Sequence, residues 1–310
     1  MEDIDQLLSS LGLPVNDLYS LPDSQKRFPD GAHYRIEIPS TEGPACLEAV
    51  LDEALKLNVP IHRISQGSGV FMLTDNELDQ MAKIAKDAKV EVSLFVRPNA
   101  GWTQSAMTRA SAGSVASATA WGQDQVKYCI DDILRAAQHG IRSVLIADIG
   151  VLYVFGKMRE NGIIPKEMQA KVSVMLGISN PVTSKLVQDL GANTVNVSTD
   201  LGLAQLAAIR HAIDIPLDIY VEVPDNLGGF VRIPEVPEII RICSPVYIKF
   251  GLRNAPDIYP SGKHLESVAV AMSRERVRRA KLALELLERN ANDKFVMSQL
   301  GAKGIALPAV

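Results

Sequence analysis

From His33 onward, short runs of apolar and β-branched residues alternate with longer stretches in which apolar residues recur every three or four positions. The first pattern predicts buried strands and the second predicts helices that lay one stripe on them. HYRIEI is followed by the helical PACLEAVLDEALKLN, VPIHRIS by DNELDQMAKIAKDA, and EVSLFVRP by QDQVKYCIDDILRAAQHG. IRSVLIAD leads into a helical segment near VLYVFGKMRENG, KVSVMLG precedes PVTSKLVQDLG, and TVNVST precedes LAQLAAIRHAI. LDIYVEV then comes before VPEIIRIC, and VYIKFG ends the series. Eight strands at parallel-crossover spacing, with no linker between Val90 and Gly251, predict a (β/α)8 TIM-type barrel over 31–300. A doubly wound sheet is the alternative. Residues 1–30 read as an N-terminal helical extension, with one or two short amphipathic helices in residues 2–21. SRERVRRAKLALELLERN reads as a closing C-terminal helix with a solvated charged face, and 301–310 as a tail that is loose or used in an oligomer contact.

Composition narrows the partners. The 310 residues are 47% hydrophobic and 22% charged, with 36 acidic and 32 basic side chains and a formal net charge of −4. Such a chain buries a large core and has no basic field for a phosphate backbone, so nucleic acid is not favoured. Three widely spaced cysteines, with no CxxC pair, point to a reducing compartment. With neither a basic-then-apolar leader nor a long apolar run, they make a cytoplasmic location and no membrane partner the expectation. The five histidines show no metal spacing, so no metal is assigned, and the cofactor is unknown from the sequence.

In a barrel of this kind, chemistry sits where strands end, so charges within or just after the apolar runs are the informative ones. Arg35 and Glu37 lie two apart and share one face of the first strand. Arg63, Arg97, Asp148, Asn196, Asp200, Glu222 and Lys249 occupy comparable positions on later strands. Read together, Glu37, Asp148, Glu222 and Lys249 are the candidates for proton transfer or other catalysis, and Arg35, Arg63, Arg97 and Asn196 for binding an anionic group. Lys249 has two readings, a Schiff-base-forming amine or, in preference, an ion-pair partner of Glu222. Any one of these residues can equally belong to a buried ion network.

Two connections add candidates. In GLRNAPDIYPSGKHLES, Ser261, Gly262 and Lys263 precede a short helix whose amides suit an anion, although neither a P-loop nor a dinucleotide signature is present. The small-residue stretch from Pro98 to Gly122 reads as a lid that brings Trp102, Arg109 or Trp121 to a substrate, or else as an oligomer arm.

ADIGVLYVFGKMRENG, KVSVMLGISNPVTSKLVQDLGANTVNVSTDLGLAQLAAI and LDIYVEV resemble the collagenase-like peptidases, the U-thirty-two family, over roughly the middle third of the chain. The resemblance implies a barrel-like domain in which Asp148 and Glu222 occupy positions similar to a strand-four Asp and a later Glu. VPDNLGG stands where that family continues into its HG and cysteine-rich signature, so the iron–sulfur ligands of many relatives, and the chemistry that goes with them, are not implied here. Three functions are therefore expected in order: a barrel enzyme working on a small polar or anionic substrate as a lyase, isomerase or hydrolase; a divergent peptidase-like enzyme acting on peptides or amino-acid derivatives; and a noncatalytic binding or scaffold subunit. A homo-oligomer is compatible with each.

Overall fold

A computed structural model describes residues 3–98, 118–291 and 294–310. Eight parallel strands close into a barrel in chain order: β1 (Tyr34–Ile38), β2 (Arg63–Ser65), β3 (Glu91–Val96), β4 (Ser143–Ile146), β5 (Gln169–Val172), β6 (Thr194–Asn196), β7 (Leu217–Glu222) and β8 (Val246–Phe250). Closure is made by β1 against β8, with Glu37 opposite Lys249, and β7 pairs β8 with an irregularity between Tyr220 and Glu222. The expected (β/α)8 architecture is the one observed.

The crossovers are α2 (Pro44–Leu57), α3 (Asp75–Ala88), α4 (Gly122–Gln138), α5 (Ile149–Glu160), α6 (Pro181–Asp189), α7 (Leu203–Ala212) and α8 (Val236–Cys243), and α9 (Glu266–Ala291) follows β8; α1 (Ile4–Ser10) precedes the barrel. Their starts carry the local signals that stop a strand-to-helix loop from drifting. Pro44 opens α2, a Thr74–Glu77 capping box opens α3, and the Asn180 and Asp148 side chains cap α6 and α5. The closing helix is longer than its sequence pattern suggested, beginning at Glu266 instead of Ser273.

Strand alternation sorts the barrel into two chemistries. The outward residues Ile36, Ile38, Ile64, Val92, Leu94, Val144, Ile146, Val172, Val195, Ile219, Val221 and Ile248 join the helices in one apolar core. The inward set is mainly polar: Arg35, Glu37, Arg63, Ser65, Glu91, Ser93, Ser143, Lys171, Thr194, Asn196, Asp218 and Lys249 are all buried, with Phe95, Leu145, Tyr220 and Tyr247 among them. Barrel interiors are ordinarily filled with branched aliphatic side chains, so this lumen departs from the common solution.

Residues 294–310 run beneath the strand starts and seal that end. The Ser298 amide bonds the Tyr34 carbonyl, the Ala306 amide donates to the Glu91 carboxylate at 3.2 Å, and the Gln169 side chain reaches the Gly304 carbonyl. The last residues therefore form a floor, a role that the sequence pattern did not indicate.

Candidate functional site

Glu37 is the hub of the lumen. Its carboxylate meets the Lys171 ammonium with both oxygens, the Ser65 hydroxyl at 2.7 Å, Arg63 at 3.3 Å and Lys249 at 3.3 Å. Burial alone would raise its pKa, but Lys171, Lys249 and Arg63 outweigh burial and hold it well below the usual carboxylate range. Arg63 also binds Glu91 at 2.7 Å and Asp218 at 3.1 Å, and its guanidinium stacks on Tyr247. Lys171, drawn to about 8 chiefly by burial, shares Asp218 as well. Lys249 sits over the Tyr220 ring and bonds Asn196. The lumen thus pairs Arg63, Lys171 and Lys249 with Glu37, Glu91 and Asp218, three cations against three carboxylates.

The sequence candidates separate by depth. Glu37, Arg63, Asn196 and Lys249 come together in this closed network, and Lys249 pairs with Glu37 in place of the expected Glu222. Arg35 was expected near the mouth but lies at the opposite end, bound to Ser298, Tyr247 and the Lys303 carbonyl and stacked on Phe28. It shares the Glu37 face of β1 as alternation requires, but alternation carries no information on depth. Asp148 caps α5 through the Val151 amide at 2.9 Å and also accepts from the Ala120 amide. Asp200 is exposed, beyond the end of β6, outside the lumen network. Lys263 is 72% exposed and paired with Glu266, and the small cavity beside it is lined by Glu42, Glu77 and Glu266, which disfavours the anion expected there. Arg109 and Trp102 lie outside the described residues.

Glu222 and Arg97 do reach the C-terminal rim. Glu222 ends β7 at 2% exposure, accepts the Arg253 amide at 3.0 Å and faces Arg279 of α9 at 2.9 Å. It lines a cavity of about 730 Å³ whose other walls include Val231, Ile233, Leu252, Met272 and Leu282. The backbone here is close-packed: a Cβ on Gly251 would lie 2.8 Å from the Glu222 carbonyl and 2.6 Å from Pro224. Arg97 donates to the Gly67 carbonyl at 3.3 Å, and burial lowers its pKa. It lines a second cavity, of about 320 Å³, with Asp132, whose carboxyl burial pushes up to about 7.

Sequence reasoning missed four rim residues. Glu42 follows β1 and accepts the Gly67 and Ser68 amides at 2.7 and 3.0 Å, while burial raises its pKa. Ser40 bonds the Tyr259 hydroxyl, and Arg276 of α9 donates to the Ser40 carbonyl at 3.2 Å. Ser40, Tyr259 and Arg276 line a further cavity of about 170 Å³. Arg276 had a readable signal: it falls in register with the buried stripe Ala269, Ser273, Val277, Ala280 and Ala283, and so belongs to the inward face of its helix.

Cys46, Cys129 and Cys243 are buried free thiols, and burial pushes those of Cys129 and Cys243 up to about 12, which is unsuited to nucleophilic work. Among the described residues no cluster of three or more His, Cys, Asp or Glu could hold a metal ion, and no helix is long and apolar enough to cross a membrane.

A family model described as Peptidase family U32 matches residues 100–222, less than half of the chain, in agreement with the resemblance read from the sequence. Similar solved structures include the U32 peptidase Mk0906, at 14% identity over 76% of this chain and 98% of that one, with a TM-score of 0.43. A truncated 3-deoxy-D-arabino-heptulosonate 7-phosphate synthase from Thermotoga maritima is 12% identical over 86% of this chain and 90% of its own, with a TM-score of 0.45. The dimeric archaeal Rubisco from Hyperthermus butylicus is 13% identical over 90% and 72%, also at 0.45. No curated protein matches the chain.

Proposed function

We propose that the chain is a barrel enzyme that acts on a small polar or anionic molecule by proton transfer, with the reaction at the C-terminal rim and not in the lumen. The observation that supports this most is Glu222, which alone among the four acid–base candidates is found lining one of the described cavities. A cavity of about 730 Å³ with apolar walls and a few convergent polar groups is of substrate size. The strand end is also where barrels of this architecture do their chemistry. One Glu222 oxygen is oriented by the Arg253 amide, and the other faces Arg279. A substrate anion that drew Arg279 away would free that second oxygen to take a proton, and Arg279 would hold the charge that develops.

The other candidates are already committed. Glu37 and Lys249 would have to break a saturated network before meeting a substrate, and Asp148 would have to uncap α5. A second reading, a peptide-acting enzyme, is favoured by the family match over residues 100–222, which ends on Glu222 itself.

The test is conversion of a panel of small hydroxy and keto acids, amino-acid derivatives and short peptides, followed by mass spectrometry. Wild-type protein is expected to convert at least one small acid. Glu222→Gln, with an unchanged melting temperature, is expected to lose roughly 10²- to 10⁴-fold in kcat, the usual worth of a general acid or base. Conversion of peptides alone would select the second reading. Wild-type turnover by Glu222→Gln, or no conversion by the wild type, would refute both.

A further inference from the structure

Arg276 is only 2% exposed, yet no carboxylate lies within ion-pair distance of its guanidinium among the described residues. Among the described residues its one hydrogen bond goes to the Ser40 carbonyl, and its Nε has no partner. Taking an arginine out of water without a counter-charge is costly, and native proteins retain such groups where something else supplies the charge. After the Tyr259 phenol, the group of opposite sign that acts on Arg276 most is the Glu42 carboxyl, but both of its oxygens are taken by Gly67 and Ser68. Burial raises the Glu42 pKa and lowers that of Arg276, so the surroundings resist both charges as they stand.

Arg276 lines the 170 Å³ cavity under the loops that follow β7 and β8, together with Ser40, Asn226 and Tyr259. The two acids on the same wall are engaged: Asp225 with Arg253 and the Asn254 amide, Asp257 with the Tyr259 amide. Leu252, Ala255, Pro256 and Met272 are common to this cavity and the larger one at Glu222.

We infer that Arg276, with Ser40, Asn226 and Tyr259, forms a subsite for one oxyanion group, a carboxylate or a phosphate, of the molecule that occupies the Glu222 cavity. The inference deepens the functional reading above and rests on it for the remainder of the ligand. The cavity is too small for a whole substrate but suits a single anionic head group, and a guanidinium offers such a group paired donors. The apolar partition between the cavities then meets the body of the ligand, leaving its reacting carbon on the Glu222 side.

The full-length chain is titrated calorimetrically with inorganic phosphate and, separately, with malonate, at constant ionic strength. Saturable binding of at least one is expected, weakened roughly tenfold or more by Arg276→Gln and kept by Lys263→Gln. Preference for phosphate identifies a phosphorylated ligand, and preference for malonate a carboxylic one. Failure of both anions to saturate, or equal binding by Arg276→Gln, would overturn the inference. Should Arg276→Gln not fold, selenate soaked into wild-type crystals reads the same point. An anomalous peak within hydrogen-bond reach of Arg276 supports the subsite, and a map without one overturns it. Binding needs no turnover, so anion binding at Arg276 beside a wholly inert substrate panel would retire the enzymatic reading and leave the subsite standing.

Discussion

Glu37 meets three cations and a hydroxyl with no accessible surface of its own, so its charge has nowhere to go except the network. Breaking one member of a buried ionic set leaves the remainder uncompensated, which costs more than the set contributes when intact. Glu37→Gln is therefore expected to destabilise the fold by about 3–5 kcal/mol, read as a lowered urea midpoint. An unchanged midpoint would mean that the lumen tolerates an unpaired ammonium. Period-two alternation put Arg35 and Glu37 on one face of the first strand, and the structure turns that face, with Arg63 and Lys249, into the lumen. It could not separate Arg35, bound to the floor at the other end, from the rest, because a charge on a strand reads the same at any depth. Arg276 was hidden for a different reason, as one of several arginines on a helix whose charges look uniformly solvated until they are phased against Val277 and Ala280.

β2 and the C-terminal floor are joined through His62. The Ile36 amide donates to its Nδ1, and its Nε2 donates to the Ser298 carbonyl at 2.7 Å; protonating Nδ1 would remove the acceptor that Ile36 uses, so the pair of contacts needs the neutral ring with its proton on Nε2. Burial lowers its pKa to about 4. The unfolded chain takes up that proton near 6.5, so the contribution of His62 is complete above pH 6.5 and is lost as pH falls toward 4, amounting to about 3 kcal/mol. Asp132 runs the other way, since its raised pKa removes stability as pH climbs from 3.8 toward 7. The informative quantity is thus the difference in unfolding free energy between wild type and His62→Gln. That difference should shrink as the buffer is taken from pH 7 to pH 4.5, and a constant difference would disprove the neutral-ring latch. Most elements were legible in advance because their apolar faces and caps are local signals. The floor was not, because its contacts with Tyr34, Glu91 and Gln169 lie more than a hundred residues away in the chain.

Taken whole, the barrel divides its polar residues between two settings. The lumen is an ion network sealed below by residues 294–310, and the C-terminal rim carries Glu222 and Arg276 beside cavities of substrate and head-group size. The strand count was enough to read the barrel, but telling charges locked in the network from charges beside cavities required knowing which of them face open space. The division is tested most directly by soaking wild-type crystals with a library of small carboxylates, phosphates and amines and mapping where density accumulates. Fragments are predicted to collect at the rim, against Glu222, Arg279 and Arg276, with the lumen side chains unmoved. Fragment density beside Lys171 or Lys249, with the Glu37 network opened to admit it, would contradict the account.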